Sequence, residues 1–162
     1  MGPTTPRATT VRAHARAGFT IIELVVVILI GSILVGVALS SFQTAQAAMA
    51  ARGAKNMYAT LHQRARVRSV ELGQRALLYV DTVGDSAAIF SGGAWRDVTH
   101  FRRQLNVDLR STPATFFICM NPRGYADPAC GFGITSPVKL EFWLSGDSTS
   151  ITILPMGQLV GL

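Results

Sequence analysis

Residues 18–42 read GFTIIELVVVILIGSILVGVALSSF, an apolar run interrupted by a single charge at Glu23. A helix of this length spans a bilayer. No second apolar stretch approaches it, which argues against a multi-pass helical membrane protein. The run is too long for the core of a cleaved secretory signal, although Ala45, Ala47 and Ala48 imitate a cleavage site. Beyond it the pattern stays helical. Residues 43–51 are alanine-rich, and Met57, Leu61, Ala65 and Leu72 keep a spacing close to 3.6. The spacing predicts one helix from Phe19 to about Leu72, about 80 Å long. Its second half is amphipathic and needs a sheet to cover its apolar stripe, and Gly73 is placed to cap it. No proline interrupts it before Pro113; Gly31 and Gly36 are its weak points. Ser32, Gly36 and Ser40 form a stripe of small residues suited to close helix packing in lipid.

After Gly73 the period changes from helical to alternating. Residues 76–80, 87–90 and 95–98 read as short strands, the last two joined by Ser91-Gly92-Gly93 as a hairpin. Residues 107–110 and 115–120 come next, with Pro113 between them. In 139–144, Leu140, Phe142 and Leu144 face one way and Lys139, Glu141 and Trp143 the other. Gly146-Asp147 makes a turn into a last strand at 150–154. The expected fold is α+β: a long N-terminal hydrophobic helix packed on a C-terminal antiparallel domain of one sheet or two. Trp95, Trp143 and Phe116-Phe117 read as core or sheet surface rather than ligand platforms.

Charge divides the chain in the same place. Of 24 charged residues, residues 19–51 hold only Glu23, while the rest of the chain has ordinary polarity, which excludes intrinsic disorder. Half of the net charge of +6 comes from Arg7, Arg12 and Arg16, ahead of the apolar run. Basic residues in that position stay cytoplasmic and send the chain beyond the apolar run across the membrane. An intramembrane carboxylate is costly, so Glu23 is a functional candidate; a glutamate that snorkels to the headgroups is the alternative. Arg52, Lys55, Arg64, Arg66, Arg68 and Arg75 make the outer helix basic against Glu71 alone. That is either a surface for an acidic or phosphate partner or a solvated face; no aromatic residues interleave to stack bases.

Cys119 and Cys130 bracket a Pro- and Gly-containing loop. In an exported domain two cysteines point to a disulfide. Zinc is the other reading, against which His14, His62 and His100 are scattered off ligand spacing. No nucleophile elbow, P-loop or H-E-x-x-H motif is present, so neither an enzyme nor a cofactor or metal site is expected.

Gly18-Phe19-Thr20-Ile21-Ile22-Glu23-Leu24, with a basic leader before it and an unbroken apolar run after it, resembles the class III signal of type IV pilins and type II secretion pseudopilins. The resemblance implies cleavage by a prepilin peptidase between Gly18 and Phe19, methylation of the new N-terminal Phe19, and retention of the helix. It further implies that Glu23 pairs with the N-terminal amine of a neighbouring subunit during filament assembly. The segments LHQRARVRSVELGQRALLYVD, TFFICMNPRG and ITILPMGQLVG resemble the GspH/FimT/FimU minor-pilin subfamily. The implied organisation is a leader over 1–18, a transmembrane and assembly segment over 19–42, an amphipathic helix over 43–73 and a periplasmic head over 74–162. The implied place is the bacterial inner membrane, single-pass, and then a pilus or pseudopilus of several pilins. A second implied function is DNA capture, as in FimT-like proteins with a basic C-terminal motif. The matching tail here, Gly157-Gln158-Leu159-Val160-Gly161, has no arginine.

Overall fold

The computed structural model describes residues 19–131 and 133–162, and the chain divides into two compact units, Met1–Leu39 and Ser40–Leu162. In the first unit, residues 21–39 are the opening part of helix α1 (Ile21–Leu72). Ile21, Leu24, Ile28, Leu34 and the other large apolar side chains there are exposed. Among the described residues α1 is the one helix long and apolar enough to cross a membrane.

In the second unit the remainder of α1 buries Ala47, Ala51, Ala54, Tyr58, Leu61, His62, Ala65 and Ser69. Their spacing of three and four residues keeps them on one face, and the small side chains among them let the helix approach the sheets closely. Leu61 and Ala65 lie in the expected stripe, and Met57 packs at its margin. Leu72 does not belong to it: 45% exposed, it sits in the last turn of the helix, beside the turn at Gly92. The helix ends where Gly73 adopts a left-handed φ of +58° and its N–H donates to the Val70 carbonyl at 3.2 Å.

The alternating segments form two four-stranded antiparallel sheets. The first has the order β3 (Ala94–His100), β2 (Ser86–Ser91), β1 (Ala76–Asp81), β5 (Thr115–Met120). The second has the order β4 (Asp108–Ser111), β6 (Val138–Leu144), β7 (Asp147–Ile153), β8 (Leu159–Val160). The expected hairpin between β2 and β3 forms with a two-residue turn at Gly92-Gly93, Ser91 pairing with Ala94 inside the ladder. The β6–β7 turn falls one residue earlier than expected, at Ser145-Gly146, both with positive φ, so that Asp147 pairs with Leu144 inside the ladder. Leu140 and Phe142 point inward and Lys139 outward, as the alternation requires. Leu78, Val80, Ile89, Ile118 and Met120 of the first sheet and Leu140, Phe142, Ile151 and Ile153 of the second share one core with Tyr58, Leu61 and Ala65 of α1. On its outer face the first sheet carries Tyr79, Phe90, Trp95 and Phe117, linked by ring contacts of 4.8–5.8 Å.

The chain passes from one sheet to the other through α2 (Phe101–Leu105), too short to leave a periodic signature in the sequence. Asp85, in the β1–β2 turn, fastens this crossing. Its backbone carbonyl accepts from Phe101 N–H at 2.8 Å, its Oδ1 from Leu109 N–H at 2.6 Å, and its Oδ2 from Arg102 Nε at 2.8 Å. Arg102 also reaches Asp108 Oδ1 at 2.8 Å. The Asp85 side chain is only 5% exposed, so its negative charge depends on these partners. Asp85→Ala should therefore lower unfolding free energy by about 2–4 kcal/mol. Asp85→Asn, which keeps an acceptor for Leu109, should cost less; urea unfolding of the full chain in detergent measures both.

His62 is buried beside Tyr58, ring centroids 6.4 Å apart. Neither imidazole nitrogen has a hydrogen-bond partner among the described residues. Burial, and after it the charge of Arg66, pushes the His62 pKa down to about 4. An unfolded histidine ionises near 6.5. Between those values the unfolded chain binds more protons, so stability present above about pH 6.5 is lost as pH falls toward 4, by about 3 kcal/mol in full. His62→Leu should flatten this acid limb, which thermal unfolding of the detergent-solubilised chain at pH 7.5 and 4.5 tests directly.

Candidate processing and assembly site

The helix start is written in four residues. Ile21 is the first helical residue, so Thr20 stands at the N-cap and Glu23 at the third helical position. The Thr20 Oγ1 accepts from the Glu23 backbone N–H at 3.3 Å, and the Thr20 carbonyl accepts from Leu24 N–H at 3.2 Å. T-x-x-E is the capping-box pattern, which satisfies backbone N–H groups that have no partner further up the helix. Sequence reading singled out Glu23 for its charge and missed this local role, although the four-residue signature was there to find. As a carboxylate in the first turn, Glu23 also complements the positive end of the helix dipole. Phe19 precedes the helix and is 78% exposed; Gly18, the other residue of the expected cleavage site, lies outside the described residues. Along the same unit, the Ser32 hydroxyl donates to the Leu29 carbonyl at 2.8 Å, and a side chain at Gly36 would meet open space.

The basic residues of the outer helix have a use that charge counting did not reveal. Lys55 donates to the carbonyl of Gly161, and Arg66 Nε donates to the carbonyl of Gly124. Arg64 pairs with Asp97 at 3.8 Å, and Arg75, just past the helix, with Asp127 at 3.5 Å. Four of the six cations singled out thus tie the helix region to the head's own strands and loops. The C-terminal tail is part of this arrangement: Leu159-Val160 pairs with β7. Arg66 meets a turn built by Asn121, whose Oδ1 accepts from the N–H groups of Arg123 and Tyr125 at 2.9 and 3.1 Å. Gly124 turns there with φ +80°, and a Cβ would come within 3.3 Å of Val70 and 3.4 Å of Arg66. Glycine takes this dihedral without strain and leaves room for the close approach.

A disulfide joins Cys119, at the end of β5, to Cys130 in the 3-10 turn Pro128–Cys130. The loop it closes carries Gly124 and Tyr125 against the helix. Among the described residues no three histidine, cysteine or carboxylate side chains stand together as a metal cluster.

Residues 13–39 match the family described as the prokaryotic N-terminal methylation motif. The N-terminal segment of the chain thus carries the methylation motif. The motif begins among the N-terminal residues that carry Arg16 and runs through Glu23 into the apolar helix. No curated protein sequence matches the chain. Two crystal structures of the type IV minor pilin FimU of Pseudomonas aeruginosa (strain PAO1), in space groups P21 and P65, are similar to it. They share 16% and 15% identity, with TM-scores of 0.48 and 0.47. The matches cover 65% of this chain and 82% and 86% of theirs.

The disulfide restrains the loop that meets the helix. Cys119→Ser with Cys130→Ser should lower stability by about 3 kcal/mol in the chain-entropy picture. Thermal unfolding of the double variant beside oxidised and reduced wild type measures the loss.

Proposed function

We propose that the chain is a minor pilin or pseudopilin, a structural subunit of a type IV pilus or a type II secretion pseudopilus. The observation that carries this reading is the methylation motif over residues 13–39, leading into an exposed apolar stretch of α1 whose one charge, up to residue 51, is Glu23. A prepilin peptidase on the cytoplasmic side cuts between Gly18 and Phe19 and methylates the new N-terminus. The basic leader holds Arg7, Arg12 and Arg16 inside, the helix stays in the inner membrane, and the head faces the periplasm. On assembly the helix leaves lipid for the filament core, where neighbouring helices cover the exposed apolar side chains. Glu23 then meets the amine of an adjacent subunit's Phe19. A carboxylate and an amine in low dielectric are each costly alone and tolerable together.

The subunit acts by assembling rather than by catalysis. Its working residues are Gly18 and Phe19 in processing and Glu23 in assembly, with other pilins and the peptidase as partners. Intact mass and N-terminal sequencing of the membrane-extracted chain should show loss of residues 1–18 and a methylated Phe19. Glu23→Ala should be processed normally and recovered poorly in sheared filaments. An uncut leader, or wild-type recovery of Glu23→Ala, contradicts the reading.

A further inference from the structure

The face of α1 turned away from the core between Thr60 and Glu71 carries two open grooves that meet along one ridge. One, of 520 Å³, lies between the helix and Asp97 of β3. The other, of 360 Å³, lies between the helix and the turn at Gly124. They share Val67 and Glu71. The ridge is apolar where a solvated helix face is polar: Val67 and Val70 are 51% and 53% exposed, and Tyr125 across the second groove is 53% exposed. These side chains are held in place. Arg66 bonds to Gly124, Asn121 shapes the turn, and the disulfide closes the loop behind it.

Four arginines and two carboxylates line the two grooves, and Arg64 and Asp97 pair with each other. Arg68 lines the first groove, and Arg66 and Arg123 line the second. None of these three makes an ion pair among the described residues, and Glu71 is the one unpaired carboxylate facing them. We infer that this face docks an acidic, partly apolar segment of a neighbouring filament subunit. The inference rests on the filament reading above and adds which surface the head uses and what chemistry it meets. Half-exposed valines and a tyrosine supply the apolar contact that distinguishes the centre of a protein interface, and flanking arginines select and steer an acidic partner. A nucleic acid fits less well, because the floor between the arginines is valine, with neither phosphate donors nor a run of stacking aromatics. Anionic lipid is remote. Thr60 lies 18 residues along the helix from Phe42, about 27 Å, well beyond the ~10 Å over which salt leaves headgroup charge unscreened.

The test uses the full chain in cells that build the filament. Arg68→Glu with Arg123→Glu places like charge against the partner, and recovery in sheared filaments, normalised to the membrane pool, should fall by about tenfold or more. Arg68→Gln with Arg123→Gln should fall less and guards against misfolding, since neither side chain ties the fold together. Arg123→Lys should retain recovery, and carbodiimide should then couple the introduced amine to a carboxylate of another filament subunit, identified by mass spectrometry. Glu23→Ala is run alongside. If Glu23→Ala fails to assemble while the double glutamate variant assembles at wild-type level, the docking face is wrong and the filament reading stands. If both assemble normally, the filament reading itself has failed. Coupling only to a second copy of this chain, or nucleic acid retained by wild type and lost in the glutamate variant, overturns the acidic-subunit assignment.

Discussion

The head depends on one buried carboxylate. A polypeptide that builds two sheets must cross between them, and each crossing exposes backbone groups that no ladder satisfies. Asp85 closes the first crossing from the far side. A residue of the β1–β2 turn, in the first sheet, accepts from the N–H of Leu109 in the second and holds Arg102 of the short helix between them. Arg102 carries the link on to Asp108. With the crossing fixed, α2 presents Phe101 to the core, where its ring stands 6.0 Å from that of Phe142, itself 6.1 Å from Tyr58 of α1. Helix and both sheets share one core, and at this first crossing one turn residue holds the two sheets together. Asp85 has a φ of +46°, a left-handed conformation that aspartate tolerates better than most residues.

The helix illustrates how one residue type serves opposite ends. Cations at Lys55, Arg64 and Arg66, with Arg75 just beyond the last turn, are spent on carbonyls and carboxylates of the same chain. Exposed pairs of this kind contribute little each, but they are distributed along the helix and reach β3, the Gly124 turn, the C-terminal tail and the disulfide loop. They orient surface segments whose position apolar packing alone would leave loose. Arg68 and Arg123 are not used in this way, and they flank the half-exposed valines. Net charge along the sequence cannot separate the two groups, because their difference lies in which side of the helix each carbonyl or carboxylate approaches.

Periodicity made part of this fold legible in the sequence. The long helix, its end at Gly73, the hairpin at Gly92-Gly93 and the alternation of Lys139 to Leu144 were all set by local pattern, and the structure realises them. The helix stripe was only half legible. Tyr58, His62 and Ser69 are polar residues at buried positions, so a count of apolar residues skips them and reaches for Leu72 instead. Burying them leaves the Tyr58 hydroxyl and both His62 nitrogens without partners among the described residues, an arrangement no pattern rule anticipates. The five residues of α2 are too few for a period. The role of Asp85 depends on residues 17 and 24 positions away. Long-range polar contacts are set by the tertiary fold, and the sequence around Gly84-Asp85 announces only a turn.

At the N-terminus, local and assembly requirements fall on the same residue. The cut proposed after Gly18 would leave an amine at Phe19, one residue before the N-cap and beside the positive end of the helix dipole. A cation there is unfavourable to its own helix, and in lipid it has no water to screen it. Glu23, in the first turn beside the Thr20 cap, places a negative charge at that end of the helix. A neighbouring subunit whose carboxylate takes over the amine must therefore compete with a favourable arrangement already present. On the proposed filament reading, assembly through this pair would be an exchange of partners with small net electrostatic gain, and burial of the exposed apolar helix would supply the rest. In this view Glu23 sets the register at which one helix stops against the next, while the valines, isoleucines and leucines behind it supply the affinity.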